Sequence, residues 1–195
     1  MEKVAEKLAD FVCKYAEDSE ENYSIYKYGF EIGLEMLFCF AVSAIISVYM
    51  NMGKEFLIFI IIFIPIRTYA GGLHMQNFRS CFFLSCLIQV GVLMLSEIVS
   101  IPLLISWLLI AVSMITLLMI APVPTINRQI DILESKYLTK KIKFIFLLIV
   151  LVNVILTFLS YVNYISLIAM TMIVVLLSAI AGKIKYHYEV SKNKI

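Results

Sequence analysis

Two residues seven positions apart, His74 and Cys81, are the side chains of this chain best suited to chemistry, and they sit in a polar segment between two long apolar runs. A thiol attacks a carbonyl carbon as its thiolate. A neighbouring imidazole can take the thiol proton and later return it to a leaving amine. Such a pair is the working minimum of a cysteine peptidase. The segment reads Arg67-Thr-Tyr-Ala-Gly-Gly-Leu-His74 and continues through Gln76, Asn77 and Arg79 to Cys81.

Distance is the first constraint on the pair. In one continuous helix the two α carbons stand about 10.5 Å apart along the axis, at roughly 1.5 Å per residue, which is too far for proton transfer. The residues between them argue for a break. Gly71 and Gly72 weaken a helix before His74, and Asn77 is a strong helix N-cap. With Asn77 as cap, Phe78, Arg79 and Ser80 form a first turn and Cys81 ends it, while the chain before Asn77 folds back to bring His74 within reach. The helix amino terminus and Arg79 then favour a thiolate. Free amides at that terminus suit a tetrahedral oxyanion, with Gln76 or Asn77 as side-chain candidates. Gly71 and Gly72 also let a substrate backbone approach closely, and Pro65 shapes the bend. For Arg67 two roles stand open: contact with substrate, or an anchor for the preceding span at the lipid headgroups.

The bland alternative is that Cys81 is a small buried hydrophobe at a helix end. Cys86 competes as nucleophile but lies deeper and away from any histidine. Cys39 reads as packing and His187 as an interfacial tail residue. Other chemistries fit poorly. An intramembrane aspartyl protease needs two aspartates in the membrane, and Asp10, Asp18 and Asp131 all fall outside the apolar runs. A Gly-x-Ser-x-Gly elbow is absent. The spacing of His74 and Cys81 matches no metal site, so neither metal nor cofactor is expected. The cysteines at 13, 39, 81 and 86 show no disulfide pattern.

Composition sets the frame that positions these groups. With 62% hydrophobic and 15% charged residues and a mean hydropathy of +0.96, the chain reads as an all-α integral membrane protein. Spanning a hydrocarbon core about 30 Å thick takes roughly 20 apolar residues. Six runs approach this: about Gly33 to Met50, Gly53 to Ile66, Ser80 to Ser96, Ile101 to Ala121, Ile142 to Ser160 and Tyr164 to Ala181. The second is short and open to a re-entrant reading, but Lys54 and Arg67 can snorkel and let residues 51–70 span as one tilted helix. The expected organisation is therefore an amphipathic segment at 1–32, a six-helix transmembrane domain at 33–182 with the reactive segment at 67–81, and a basic tail at 183–195.

Orientation follows from the cations. With a cytoplasmic amino terminus, 15 of the 16 Lys and Arg residues fall inside and Lys54 alone outside, as the positive-inside rule requires. Both termini and the reactive segment are then cytoplasmic in a multi-pass protein of the cell membrane. No cleavable signal peptide is visible, so the first span serves as the insertion signal. Val4, Leu8, Phe11, Val12 and Tyr15 form an apolar stripe apart from Lys3, Lys7 and Lys14, which reads as an interfacial helix touching lipid on the inner leaflet. A net charge of +2 is too small to imply a nucleic-acid partner.

Arg67, Tyr69, Ala70, Gly71, Gly72, His74 and Cys81 together resemble the signature of the accessory gene regulator B (AgrB) family. A second match follows the fourth run, where Ala121-Pro-Val-Pro-Thr-Ile-Asn127-Arg128 is similar to that family's Ala-Pro-Val followed by Asn and a basic residue. Length and the six-run layout agree over nearly the whole chain. The resemblance implies a membrane cysteine endopeptidase that removes the carboxy-terminal tail of a short AgrD-like propeptide in quorum sensing. It assigns His74 as base and Cys81 as nucleophile, with a thioester captured by a Cys or Ser of the peptide to give a thiolactone or lactone. It also implies a homodimer. No third catalytic member stands out, since Glu31, Glu35, Asp131 and Glu134 read as solvated charges. A small transporter or exporter component without peptidase activity is the main rival, with the glycine pair as a broken helix near a solute site. A noncatalytic assembly or receptor subunit is the third reading.

Overall fold

The computed structural model describes residues 2–16, 20–73, 78–124 and 131–192, which fold into helices without a strand among them. In chain order these are α1 (Glu2–Ala16), α2 (Glu20–Tyr49), α3 (Gly53–Ala70), α4 (Phe78–Ile98), α5 (Leu103–Ile120), α6 (Ile132–Phe158) and α7 (Val162–Lys192). Several outrun the apolar stretches that announce them. At about 1.5 Å per residue, α2, α6 and α7 each exceed the roughly 30 Å hydrocarbon core, so polar turns extend beyond it at one end.

The helices bury narrow stripes and leave apolar backs. On α3 the buried positions are Phe56, Phe59, Ile62, Ile66 and Ala70. On α6 they are Leu138, Ile142, Phe146, Ile149 and Asn153. Both follow the three- and four-residue spacing of a single helical face. The opposite faces carry Leu104, Leu108, Val112 and Ile115 on α5 and Leu147, Leu151 and Ile155 on α6, all exposed. An apolar exterior of that extent is unstable in water and matched to lipid. Among the described residues, four helices are long and apolar enough to cross a membrane: Ser80–Ile98, Leu103–Ile120, Ile132–Phe158 and Val162–Lys192. The 18-residue α3 is comparably apolar between charges at its two ends, Lys54 and Glu55 at one and Arg67 at the other. The chain is a membrane protein.

Helix α7 is the axis of the bundle. Every residue from Ile165 to Met172 is buried, as expected of a helix enclosed on all sides. It packs against α3, α4, α5 and α6, while α2 lies against α3 and α4. The main core joins Ile62 and Ile66 of α3, Ile110 and Leu117 of α5, Ile142 and Phe146 of α6, and Ile168, Met172 and Val175 of α7. Two of the buried polar side chains turn back on their own helices. Thr171 Oγ1 donates to the Leu167 carbonyl at 2.8 Å, and Asn153 Nδ2 to that of Ile149 at 2.8 Å. Helix α1 packs on α2 through Ala5 and Ala9, both fully buried, with Val4, Leu8 and Phe11 left exposed. A Lys27–Glu6 ion pair at 2.6 Å joins the two.

Candidate active site

The end of α3 is determined by one glycine. Gly71 adopts φ 75°, ψ −162°, a region that is essentially glycine-only, and the chain leaves the helix there in extended form. Its neighbours hold it on two sides. On one, the Val123 N–H donates to the Ala70 carbonyl at 2.9 Å, and a Cβ on Gly71 would lie 2.7 Å from the Val123 carbonyl oxygen. On the other, the Leu73 N–H donates to the Ser178 carbonyl of α7 at 2.9 Å. One turn along α7, Gly182 presses on Gly72: a Cβ there would come within 2.5 Å of the Gly72 carbonyl carbon. Residues 71–73 thus run between α7 and the chain just after α5, joining the two motifs singled out in the sequence.

Arg67 reaches into the same place from the last turn of α3. Its Nη2 donates to the Leu73 carbonyl, fixing the guanidinium over the extended segment. Its Nη1 is buried and has no hydrogen-bond acceptor among the described residues. Gly72 makes room for it, since any Cβ at 72 would collide with Nη1. Cys81 stands in the first turn of α4, partly buried, and the next residue, Phe82, packs on Phe38 of α2 with ring centroids 5.4 Å apart.

The structure therefore brings Arg67, Gly71, Gly72 and Cys81 to one end of the bundle. His74, Gln76 and Asn77 lie outside the described residues, as do Asn127 and Arg128 of the second motif. Helix α4 begins at Phe78, directly after Asn77. Cys86 lies further along α4, Cys39 on α2 and Cys13 on α1, all partly buried. His187 is exposed near the end of α7 beside Tyr186. No group of three or more His, Cys, Asp or Glu suited to a metal occurs among the described residues. Sequence reasoning missed Ser178 and Gly182. Their signal is the run Ser178-Ala-Ile-Ala-Gly182, small residues four apart of the kind that lets backbones approach in membrane bundles.

These features define a multi-helix membrane protein with a thiol at a helix start, a partly buried arginine at the end of the preceding helix, and a glycine-dependent break between the two helices that carry them. Residues 5–180 match the family model for accessory gene regulator B, and the chain belongs to that family. No curated protein and no solved structure matches it. Membership implies a part in the processing of AgrD propeptides for quorum sensing.

Proposed function

We propose that the chain is a membrane cysteine endopeptidase that cuts the carboxy-terminal tail from a short AgrD-like propeptide, with Cys81 as nucleophile and His74 as general base. The observation that carries this reading is the position of Cys81 in the first turn of α4, across the break from the partly buried Arg67 in the last turn of α3. His74 takes the Cys81 proton, and the sulfur attacks the scissile carbonyl carbon. The tetrahedral intermediate expels the amine, which leaves with the proton from His74, and a Cys81 thioester remains. A thiol or hydroxyl within the retained peptide attacks that thioester, closing a thiolactone or lactone ring and releasing Cys81. Intramolecular capture outcompetes water through effective molarity in a site walled by apolar helices.

In this reading α2 to α7 span the membrane six times, both termini and the site are cytoplasmic, and α1 lies on the inner leaflet with Val4, Leu8 and Phe11 in lipid. Two copies associate as a homodimer. Lys136, Lys140 and Lys143 share one face of α6, matched in charge to acidic residues of an excised tail. A solute carrier built on a broken helix expects the break near the bilayer midplane. Here α3 runs unbroken for 18 residues before it ends, which favours the peptidase.

The test is cleavage of a panel of AgrD-like propeptides in proteoliposomes. Wild-type protein and Cys86→Ala are expected to cut, whereas Cys81→Ala and His74→Ala are not. Cleavage by Cys81→Ala, or by none of the four, removes the reading.

A further inference from the structure

Arg67 is a cation with half of its fork occupied. The Leu73 carbonyl takes Nη2, while Nη1 is buried without an acceptor among the described residues. This arrangement decides between the two roles the sequence left open. An anchor for a span directs its guanidinium outward to headgroups and water. Arg67 instead folds back over the extended segment 71–73, into a place kept clear by the missing side chain of Gly72. Buried donors ordinarily find partners, and an exception calls for an explanation in function. A charged donor at the end of the bundle that carries a nucleophile has one when its acceptor exists only during the reaction.

We propose that the Nη1–H of Arg67 is the oxyanion donor of this site, binding the carbonyl oxygen of the scissile peptide bond as it becomes an alkoxide. The assignment rests on the peptidase reading above and adds a catalytic residue to it. When the Cys81 sulfur forms its bond to the carbonyl carbon, the π pair of the C=O moves onto oxygen. The hydrogen bond from Nη1 holds that charge. On collapse the pair returns to re-form the C=O, the C–N bond breaks, and the amine departs with the proton His74 carried. The same donor serves again when the retained peptide's own nucleophile attacks the thioester and Cys81 leaves. The Leu73 carbonyl holds the plane of the guanidinium before substrate arrives. Arg67 in the last turn of α3 and Cys81 in the first turn of α4 flank the same break, so a carbonyl carbon bonded to the sulfur places its oxygen at the end of the bundle where Nη1 lies.

The experiment uses full-length protein in proteoliposomes and the propeptide that wild type cuts, comparing Arg67→Met and Arg67→Lys with Cys81→Ala. Removal of one oxyanion donor lowers kcat by about 100- to 1000-fold. Arg67→Met is expected to show that loss with KM little changed, the pattern of an interaction made only in the transition state. Arg67→Lys is expected to recover part of the rate, since an ammonium supplies a donor but not the planar fork. Alkylation of Cys81, in a background with the other three cysteines replaced, reports whether each variant keeps the site intact. Near-wild-type kcat in Arg67→Met while Cys81→Ala is dead overturns the oxyanion assignment alone. A raised KM with unchanged kcat overturns it too, by moving Arg67 to ground-state binding. If Arg67→Met fails the alkylation control, Arg67→Lys decides: an intact site with wild-type kcat and KM refutes the need for the fork, and a selective kcat loss upholds it. Cleavage by Cys81→Ala would instead bring down the peptidase reading on which the assignment rests.

Discussion

Gly182 of α7 faces the peptide backbone of Gly72 so closely that a Cβ at 182 would stand 2.5 Å from the Gly72 carbonyl carbon and 2.7 Å from its oxygen. Backbone cannot rotate aside as a flexible side chain does. Even a methyl group at 182 must therefore push the 71–73 segment off α7, stretching the hydrogen bond from Leu73 to Ser178. Overpacking of this kind costs about 1–3 kcal/mol. Gly182→Ala is expected to lower the thermal midpoint in detergent and slow propeptide processing, and Gly182→Val to do so further. Gly33→Ala is the control, since a Cβ there meets nothing within 4 Å. A Gly182→Ala protein with wild-type melting and cleavage would show that residues 71–73 are not seated against α7.

Gly71 makes a separate demand, set by its own dihedral angles. At φ 75°, ψ −162° an L side chain pays about 1–3 kcal/mol of backbone strain, and the Val123 carbonyl leaves its Cβ no room. Gly71→Ala is expected to destabilise by at least that much in denaturant or thermal unfolding. Because the strain falls between Arg67 and Cys81, processing should fall more than the fraction folded does. Loss of activity in strict proportion to loss of folded protein would confine Gly71 to stability.

The helices and the break between α3 and α4 were legible because their signals are local. Apolar run length marks a span, and Gly71, Gly72 and Asn77 mark a place where one helix stops and another starts. The ends of α2 and α7 were less legible, since hydropathy reports where a helix meets lipid and not where its backbone stops. Glu20 to Glu31 and Lys183 to Lys192 continue their helices in polar sequence. The seat of the site was hidden for another reason. Leu73 and Ser178 are 105 positions apart, and no periodicity within either segment pairs them. The second motif was visible as a pattern of residues, yet its contact with the first, Val123 to Ala70, appears only in three dimensions.

Asn153 offers a test remote from the site. It is fully buried in α6, its Nδ2 is spent on the Ile149 carbonyl, and its Oδ1 has no partner among the described residues. A buried acceptor left unsatisfied costs about 1–3 kcal/mol, and an apolar group of similar shape removes that cost. Asn153→Leu is expected to leave the thermal midpoint unchanged or raise it, with processing intact. A marked loss of stability would show that Oδ1 has an acceptor role in the membrane-embedded protein. A selective loss of solute flux would favour the transport reading.

The two cysteines of α4 give the sharpest contrast. Cys81 and Cys86 sit on one helix five residues apart and are both partly buried, so burial alone does not distinguish them. Position does. Cys81 is in the first turn, across the break from Arg67, whereas Cys86 lies more than a turn further along an apolar helix. Replacing a nucleophile removes the covalent path altogether, while replacing a small buried thiol removes only packing. Cys81→Ala is therefore expected to show no processing above background and Cys86→Ala a rate near that of wild type. Cys81→Ser retains the shape but replaces the thiol with a far less acidic hydroxyl, and should cut several orders of magnitude more slowly. Mass spectrometry of quenched wild-type reactions should find the truncated peptide joined to the protein through Cys81. An adduct on Cys86 would transfer the nucleophile deeper into α4 and separate the chemistry from Arg67.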